Sequence, residues 1–295
     1  MAATLEPLVG IIGGSGLYEV EGLEEKRWQR LHTPWGAPSD GLLFGRLDGH
    51  RCVFLARHGH GHPLSPTHLN YRANIDALKR AGVTEILSLS AVGSLKEDLE
   101  PGRFVIVDQF IDLSFAREKS FFGEGCVAHV SMADPVCPRL GDALADAAAG
   151  IRIPVTRGGI YIVMEGPQFS TRAESALYRS WGAAVIGMTN MPEAKLAREA
   201  ELCYATVAMV TDYDCWHPDH GHVTVETVVR TLNENAAHAQ ALLRAVLPRL
   251  AARRPSCPAG CQHALDHAII TAPAMRNPLL MAKLDAVAGR ILGTA

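Results

Sequence analysis

The sequence predicts an α/β fold: a mixed, mostly parallel β-sheet flanked by helices. Three observations carry this reading. Ala205-Thr206-Val207-Ala208-Met209-Val210 is a small and apolar run with three β-branched residues, as in a strand buried on both faces. Residues 9–12 form a similar run that ends in Gly13-Gly14-Ser15-Gly16. Segments of helical rhythm lie between such runs, at 70–81 closed by Gly82 and at 139–150 rich in alanine.

At 295 residues the chain is long enough for one large α/β domain or two modest ones. A hydrophobic fraction of 48% against 20% charged residues suits a sizeable globular core. The formal charge of −3 gives no general footprint for nucleic acid or an anionic membrane, so neither is an expected partner. The N-terminus has no basic region before an apolar run, unlike a secretory signal, and no apolar stretch reaches the length of a membrane span. Seven cysteines are an odd number, and Cys52, Cys126, Cys137, Cys203 and Cys215 are scattered among element-like segments. Reduced thiols and a cytoplasmic setting are expected. Cys257 and Cys261 suit a local disulfide; as a lone pair they are too few for a structural zinc site.

The glycine turn after residues 9–12 lets backbone N–H groups approach an anion, with Ser15 adding a hydroxyl, although a plain tight turn explains it equally. It does not meet the dinucleotide fingerprint, since Glu19 stands where the last glycine is needed. Residues 42–47 and 52–56 flank Asp48-Gly49 as a hairpin. The second of these strands ends in Arg57-His58-Gly59-His60-Gly61-His62. Alternate histidines with flexible glycines and no neighbouring carboxylate make a poor metal site, and so does the loop-like cluster of His217, His220 and His222. Arg57 and His58 read better as anion ligands, because guanidinium grips phosphate in a bidentate way. The strand at 84–90 ends in a further small, hydroxyl-bearing turn, Ser90-Ala91-Val92-Gly93-Ser94. Three strand ends thus supply one oxyanion site.

Residues 104–107 read as a strand and 110–125 as a long connection of the kind that covers sites or meets other subunits. Residues 159–164 form a strand, followed by Thr171 and Glu174 in capping-box spacing. A short strand at 185–188 leads to Thr189-Asn190-Met191-Pro192, a helix start continuing over 193–204; Thr189 either caps that helix or lends its hydroxyl to the anion. Val225, Val228, Val229 and Leu232 recur as one apolar helical face, which core packing explains by default. The strand at 205–210 runs into Thr211-Asp212-Tyr213-Asp214. Alternation puts Asp212 and Asp214 on one side and Tyr213 on the other. Two carboxylates at the end of a strand suit a basic ligand with N–H donors; an Asx turn is the competing account.

Gly13-Gly14-Ser15-Gly16-Leu17, Ala56-Arg57-His58-Gly59, Glu165-Gly166-Pro167-Gln168-Phe169-Ser170 and Thr211-Asp212-Tyr213-Asp214-Cys215-Trp216 together resemble the motifs of methylthioadenosine phosphorylases, within the trimeric purine nucleoside phosphorylase superfamily. The resemblance runs from about residue 9 to residue 250. It implies a nucleoside phosphorylase-like domain over 1–250; the linker-like run at 253–258 and the apolar helical stretches from His263 mark a C-terminal extension, 251–295, expected to pack on the body or on a neighbouring subunit. It also implies a homotrimer, a small-molecule nucleoside and inorganic phosphate as substrates, and neither metal nor organic cofactor. Phosphate falls to Ser15, Arg57, His58, Ser90, Ala91 and Thr189. Asp212 becomes the general acid, with Asp214 accepting from the purine amine, and Tyr213 lies between them. Met188 lies along the ribose, and Phe169 and Ser170 beside the base. His129 resembles a residue that such trimers contribute across the interface. Ser15 and Ser90 stand where threonine is more usual, keeping the hydroxyl.

At the 5′ end of the sugar, ordinary nucleoside phosphorylases of the superfamily carry a histidine. Val228 holds that position here, beside Val225 and Val229, and an apolar pocket favours a methylthio group over a hydroxyl. A phosphorylase for 6-oxopurines such as methylthioinosine is the alternative within the class, disfavoured because a carboxylate repels a 6-oxo acceptor. A nucleotide-dependent oxidoreductase is disfavoured by the failed fingerprint. A non-catalytic nucleoside-binding protein is disfavoured by the joint presence of an acid and a phosphate set.

Overall fold

Apolar runs of alternating facing set the architecture. In a computed structural model describing residues 7–14, 20–219, 224–251 and 257–293, eleven strands make one mixed sheet. The first strands are β1 (Leu8–Gly13), β2 (Leu23–Gln29), β3 (Leu42–Leu47) and β4 (His50–Ala56). Helix α1 (Tyr71–Arg80) follows, its Asn70 cap accepting from the Ala73 N–H, and Gly82 beyond it takes a φ of 87°. Next come β5 (Val83–Ser94), β6 (Phe104–Ile106), β7 (Gln109–Asp112) and α2 (Pro138–Gly150). β8 (Val155–Arg157) and β9 (Ile160–Val163) precede α3 (Arg172–Ser180), which starts on a complete Thr171–Glu174 capping box. β10 (Val185–Gly187), α4 (Asn190–Glu199), β11 (Cys203–Asp212) and the long α5 (Val225–Ala251) complete the body.

Within the sheet β1, β4, β5 and β11 are mutually parallel, whereas β10 runs antiparallel to the end of β5. Alternate residues feed two cores. Leu8, Ile12, Ile86, Tyr204 and Ala208 face the side that includes α1 and α4. Val9, Ile11, Leu87, Val207 and Met209 face the side that includes α2 and α5. Covered on both faces, these strands read as continuous apolar runs. No helix among the described residues is long and apolar enough to cross a membrane.

Several elements depart from the sequence reading. β5 does not turn at Ser90 but continues to Ser94, because β11 and β10 supply partners as far as Gly93 and Ser94. The connection after residue 107 contains β7, paired with β9. α4 stops at Glu199 rather than continuing to 204, since Cys203 and Tyr204 already pair with β5. Thr189 makes no side-chain cap, and Met191 interrupts the first turn with extended backbone.

The tail carries α6 (Pro278–Lys283) and α7 (Asp285–Leu292). Leu265, Leu284, Val287 and Ala288 join the core beside α1. Asp285 pairs with Arg80, and Arg290 reaches Glu201 at 2.5 Å. Cys257 and Cys261 are free thiols whose Sγ atoms lie 3.7 Å apart. They are not a lone pair: Cys137 and Cys203, distant in sequence, join them in one buried group.

Candidate active site

The parallel register brings the carboxyl ends of β1, β4, β5 and β11 to one edge, where open α/β sheets bind ligands. β10, running back along β5, carries Met188 and Thr189 to the same place. A cavity of about 510 Å³ opens there, a usual size for a small-molecule site. Its lining includes Arg57, His58, Ser90, Ala91, Met188 and Thr189. Phe169, Asp212, Asp214, Val225, Val228 and Val229 also line it. Ser15 lies outside the described residues, as do His220 and His222. Tyr213, Ser170 and His129 are not part of this lining. The Tyr213 hydroxyl donates to the Glu97 carbonyl at 3.2 Å, on the other side from the two acids. Ser170 packs behind the wall, its carbonyl meeting Cys215 Sγ at 3.4 Å. His129 is exposed, and its N–H donates to the Ala268 carbonyl.

One end of the cavity is rich in hydroxyls and imidazole. Ser90 Oγ lies 3.3 Å from Thr189 Oγ1 and 3.2 Å from the Tyr161 hydroxyl. His58 Nδ1 sits 2.7 Å from the Leu64 carbonyl, which makes it the protonated nitrogen. Burial pushes its pKa down to about 4, helped by the nearby Arg57 charge. The ring is therefore neutral at pH 7, with Nε2 left as an acceptor, and it stacks on His62 at 4.0 Å.

Arg57 behaves differently from the sequence expectation. Its Nε donates to Glu193 Oε2 at 2.9 Å, Nη2 to Ser88 Oγ at 2.7 Å, and Nη1 to the Leu89 carbonyl at 2.9 Å. Glu193 also accepts from Ser88 at 2.6 Å and from Tyr204 at 2.8 Å. The guanidinium fork is thus occupied inside the protein, so Arg57 offers the cavity positive charge rather than a bidentate grip. Glu193, buried in α4, was invisible as a site residue in the sequence because its partner lies 136 positions away.

At the opposite end stand the two acids. Asp212 Oδ1 accepts from the Asp214 N–H at 2.8 Å, and Oδ2 lies 2.7 Å from the Thr211 hydroxyl. The Asx turn and the paired acids are therefore one structure: the turn gives Asp214 a φ of 51° and holds both side chains on the cavity side. Burial raises the pKa of both carboxyls, and for Asp212 the neighbouring Asp214 charge adds to it.

The valine helix face is not core. Leu232 is buried, but Val225 and Val229 are 69% and 43% exposed, so the first turns of α5 form an apolar lip to the cavity. Arg117, which belongs to no motif in the sequence, clamps the opposite wall. Its side chain is fully buried; Nη1 donates to the Met188 and Met191 carbonyls, Nη2 to the Glu165 carbonyl, and Nε to Glu165 Oε1.

Hydroxyls and a buried cation at one end, paired acids at the other, and an apolar side wall define a nucleoside-sized site on a phosphorylase-type sheet. The chain belongs to the phosphorylase superfamily, whose family model matches residues 8–248. It is 62% identical over 288 residues to the S-methyl-5′-thioadenosine phosphorylase of Cereibacter sphaeroides, covering 98% of this chain and 99% of that one. A methylthioadenosine phosphorylase from an antarctic soil metagenomic library superposes with a TM-score of 0.90 at 46% identity, covering 96% of this chain and 99% of the other. The methylthioadenosine phosphorylase of Schistosoma mansoni in complex with adenine gives 0.81 at 38% identity, covering 84% and 93%.

Proposed function

We propose that the protein catalyses reversible phosphorolysis of S-methyl-5′-thioadenosine to adenine and 5-methylthioribose 1-phosphate. The observation that carries this reading is the cavity's lining: paired acids at the level of Gly93, a hydroxyl, imidazole and cation set around Ser90, and the valines of α5 in the same cavity. The name of the Cereibacter sphaeroides relative and the adenine bound by the Schistosoma mansoni enzyme support it. A phosphate oxygen attacks C1′ as the C1′–N9 bond breaks, and the electron pair leaves with the purine. Asp212 delivers a proton to the imidazole ring of the leaving base. Its Oδ1 accepts from the Asp214 N–H, and Oδ2, which otherwise accepts from the Thr211 hydroxyl, carries the proton when that hydroxyl turns to the Val92 carbonyl. Asp214 accepts from the exocyclic amine, and the two carboxyls titrate as a pair.

Ser90, Thr189 and the backbone near Ala91 orient phosphate, with Ser15 completing the set. Neutral His58 accepts the hydroxyl of monohydrogen phosphate at Nε2. Phosphate itself is the nucleophile and Asp212 the acid, so the reaction calls for no organic cofactor. His129 enters the site of a neighbour in a homotrimer, for which its exposed position leaves it available. Seven free cysteines fit a cytoplasmic setting.

The deciding assay follows adenine or hypoxanthine release from methylthioadenosine, methylthioinosine and adenosine, with and without phosphate. Cleavage without phosphate, or a preference for methylthioinosine, would overturn the assignment. Two variants probe its parts. A Cβ on Gly93 would stand 3.0 Å from Asp212 Oδ1 and 3.1 Å from Ile186 Cγ2. Gly93→Ala is expected to lower kcat/KM about 10²-fold by displacing the acid, with circular dichroism unchanged; a normal rate would show that the carboxylate position is not critical. Val228→His is expected to shift the kcat/KM ratio toward adenosine by about tenfold or more, and an unchanged ratio would remove Val228 from the 5′ pocket.

A further inference from the structure

Four cysteines from three separate segments meet beside the amino-terminal end of β11, the end of that strand opposite Asp212. Cys137 immediately precedes α2, Cys203 opens β11, and Cys257 and Cys261 lie in the segment after α5. All four are buried, and their Sγ atoms lie within 4.8 Å of one another. Cys137 Sγ is 3.6 Å from Cys257 Sγ, which is 3.7 Å from Cys261 Sγ. Four sulfurs about 2.3 Å from one tetrahedral ion stand roughly 3.8 Å apart, so the observed spacing is that of a single-ion cage. Clusters of several irons distribute their cysteines over separate metal atoms and do not fit so tight a set.

We propose that Cys137, Cys203, Cys257 and Cys261 bind one structural Zn(II) ion. The chain geometry is built for it. Cys257-Pro258-Ala259-Gly260-Cys261 has three intervening residues, within the ligand spacing of structural zinc sites. Its turn is closed by the Gly260 N–H donating to the Cys257 carbonyl, with Gly260 at a φ of 67° that a side chain would strain. The other two ligands are tied together by the Cys137 N–H donating to the Tyr204 carbonyl. The surroundings complete the charge balance. Four thiols lose four protons on binding, leaving a net charge of minus two on the filled site. Arg198 reaches Cys261 Sγ at 3.9 Å, and Arg139, which also pairs with Glu85, lies beside Cys203. Such outer cations orient and stabilise thiolates. The ion would fasten the C-terminal segment to α2 and to the start of β11. Asp212 lies at the other end of the same strand, nine residues or about 30 Å away, so the role is structural and independent of the proposed reaction.

The test is metal analysis of untagged protein purified without added zinc or chelator. About one zinc per chain is expected, released when a mercurial titrates the thiols. The Cys257→Ser/Cys261→Ser double variant should lose the zinc and unfold at lower temperature while keeping its kcat/KM; Cys52→Ser, buried but outside the group, should keep the zinc. Cobalt(II) replacing zinc in the unmodified protein should give thiolate charge-transfer and tetrahedral bands, a readout that needs no variant to fold. Protein without zinc that refuses cobalt, a mass lowered by the hydrogens of one or two disulfides, iron in place of zinc, or full zinc in the double variant would each overturn the proposal.

Discussion

Asp212→Asn is expected to lower turnover by about 10²–10⁴-fold while the urea midpoint stays level or rises. The two halves of this result have separate causes. The amide has the shape of the acid but no proton to give to the leaving purine. Its carbonyl can keep the bond from the Asp214 N–H, and its NH₂ can donate to the Thr211 hydroxyl. That hydroxyl then turns its own proton to the Val92 carbonyl, 3.2 Å away. No buried polar group loses its partner, so the fold has nothing to resist. The carboxylate of the unmodified protein, by contrast, is buried with its pKa raised, chiefly by desolvation. A folded-state pKa above the unfolded one contributes stability that is complete below the ordinary Asp value and lost as pH rises through the raised value. The Asp212→Asn variant lacks that loss, so its advantage in urea should grow with pH across the same interval. Turnover near that of the unmodified protein would refute the acid role whatever the stability shows.

Glu193→Ala is expected to destabilise the fold by about 3–5 kcal/mol. The carboxylate accepts from Arg57, Ser88 and Tyr204 at once, and Arg57 and Glu193 are only 1% and 2% exposed. Removing it leaves a guanidinium charge in the interior with no counterion, which costs far more than the intact pair contributes. Glu193→Gln keeps a hydrogen-bond acceptor and the volume, and should be intermediate. Urea unfolding with both arms fitted gives the values; an unmoved midpoint for the alanine variant would mean that water or a shifted side chain takes over the charge. Activity should fall in both variants, because Ser88 and Leu89, which Arg57 holds, lead directly to Ser90 on β5.

The strands that order the site were legible because they are buried on both faces and therefore apolar throughout: β1, β4 and β11 announce themselves. β2 does not, since Leu23–Gln29 is an edge strand whose residues are mostly exposed and charged. β7 and β8 do not either, because they are partly exposed and carry polar residues, unlike the equally short but apolar and mostly buried β6 and β10. Among the residues that line the cavity, the acids were readable from their place at a strand end, and Arg57, His58 and Ser90 from repeated hydroxyl and basic residues at others. Arg117, Glu193 and the four-cysteine group were not, because each depends on contacts between segments far apart in the chain. The valines of α5 carried a helical period correctly, but a period cannot say whether its apolar face meets a core or a cavity.

β10 is only three residues long, yet it works as a gauge. Ile186 stands opposite Gly93, at the level where Asp212 pairs with β5. Three residues later Thr189 meets Ser90, itself three residues back along β5. The span between Asp212 and the hydroxyls of Ser90 and Thr189 is therefore roughly 10 Å of counter-running strand, set by hydrogen-bond register instead of by loop closure. A single-residue deletion in either strand would change that span and turn the following side chains to the opposite face, whereas the loops around the rim can vary in length without touching it.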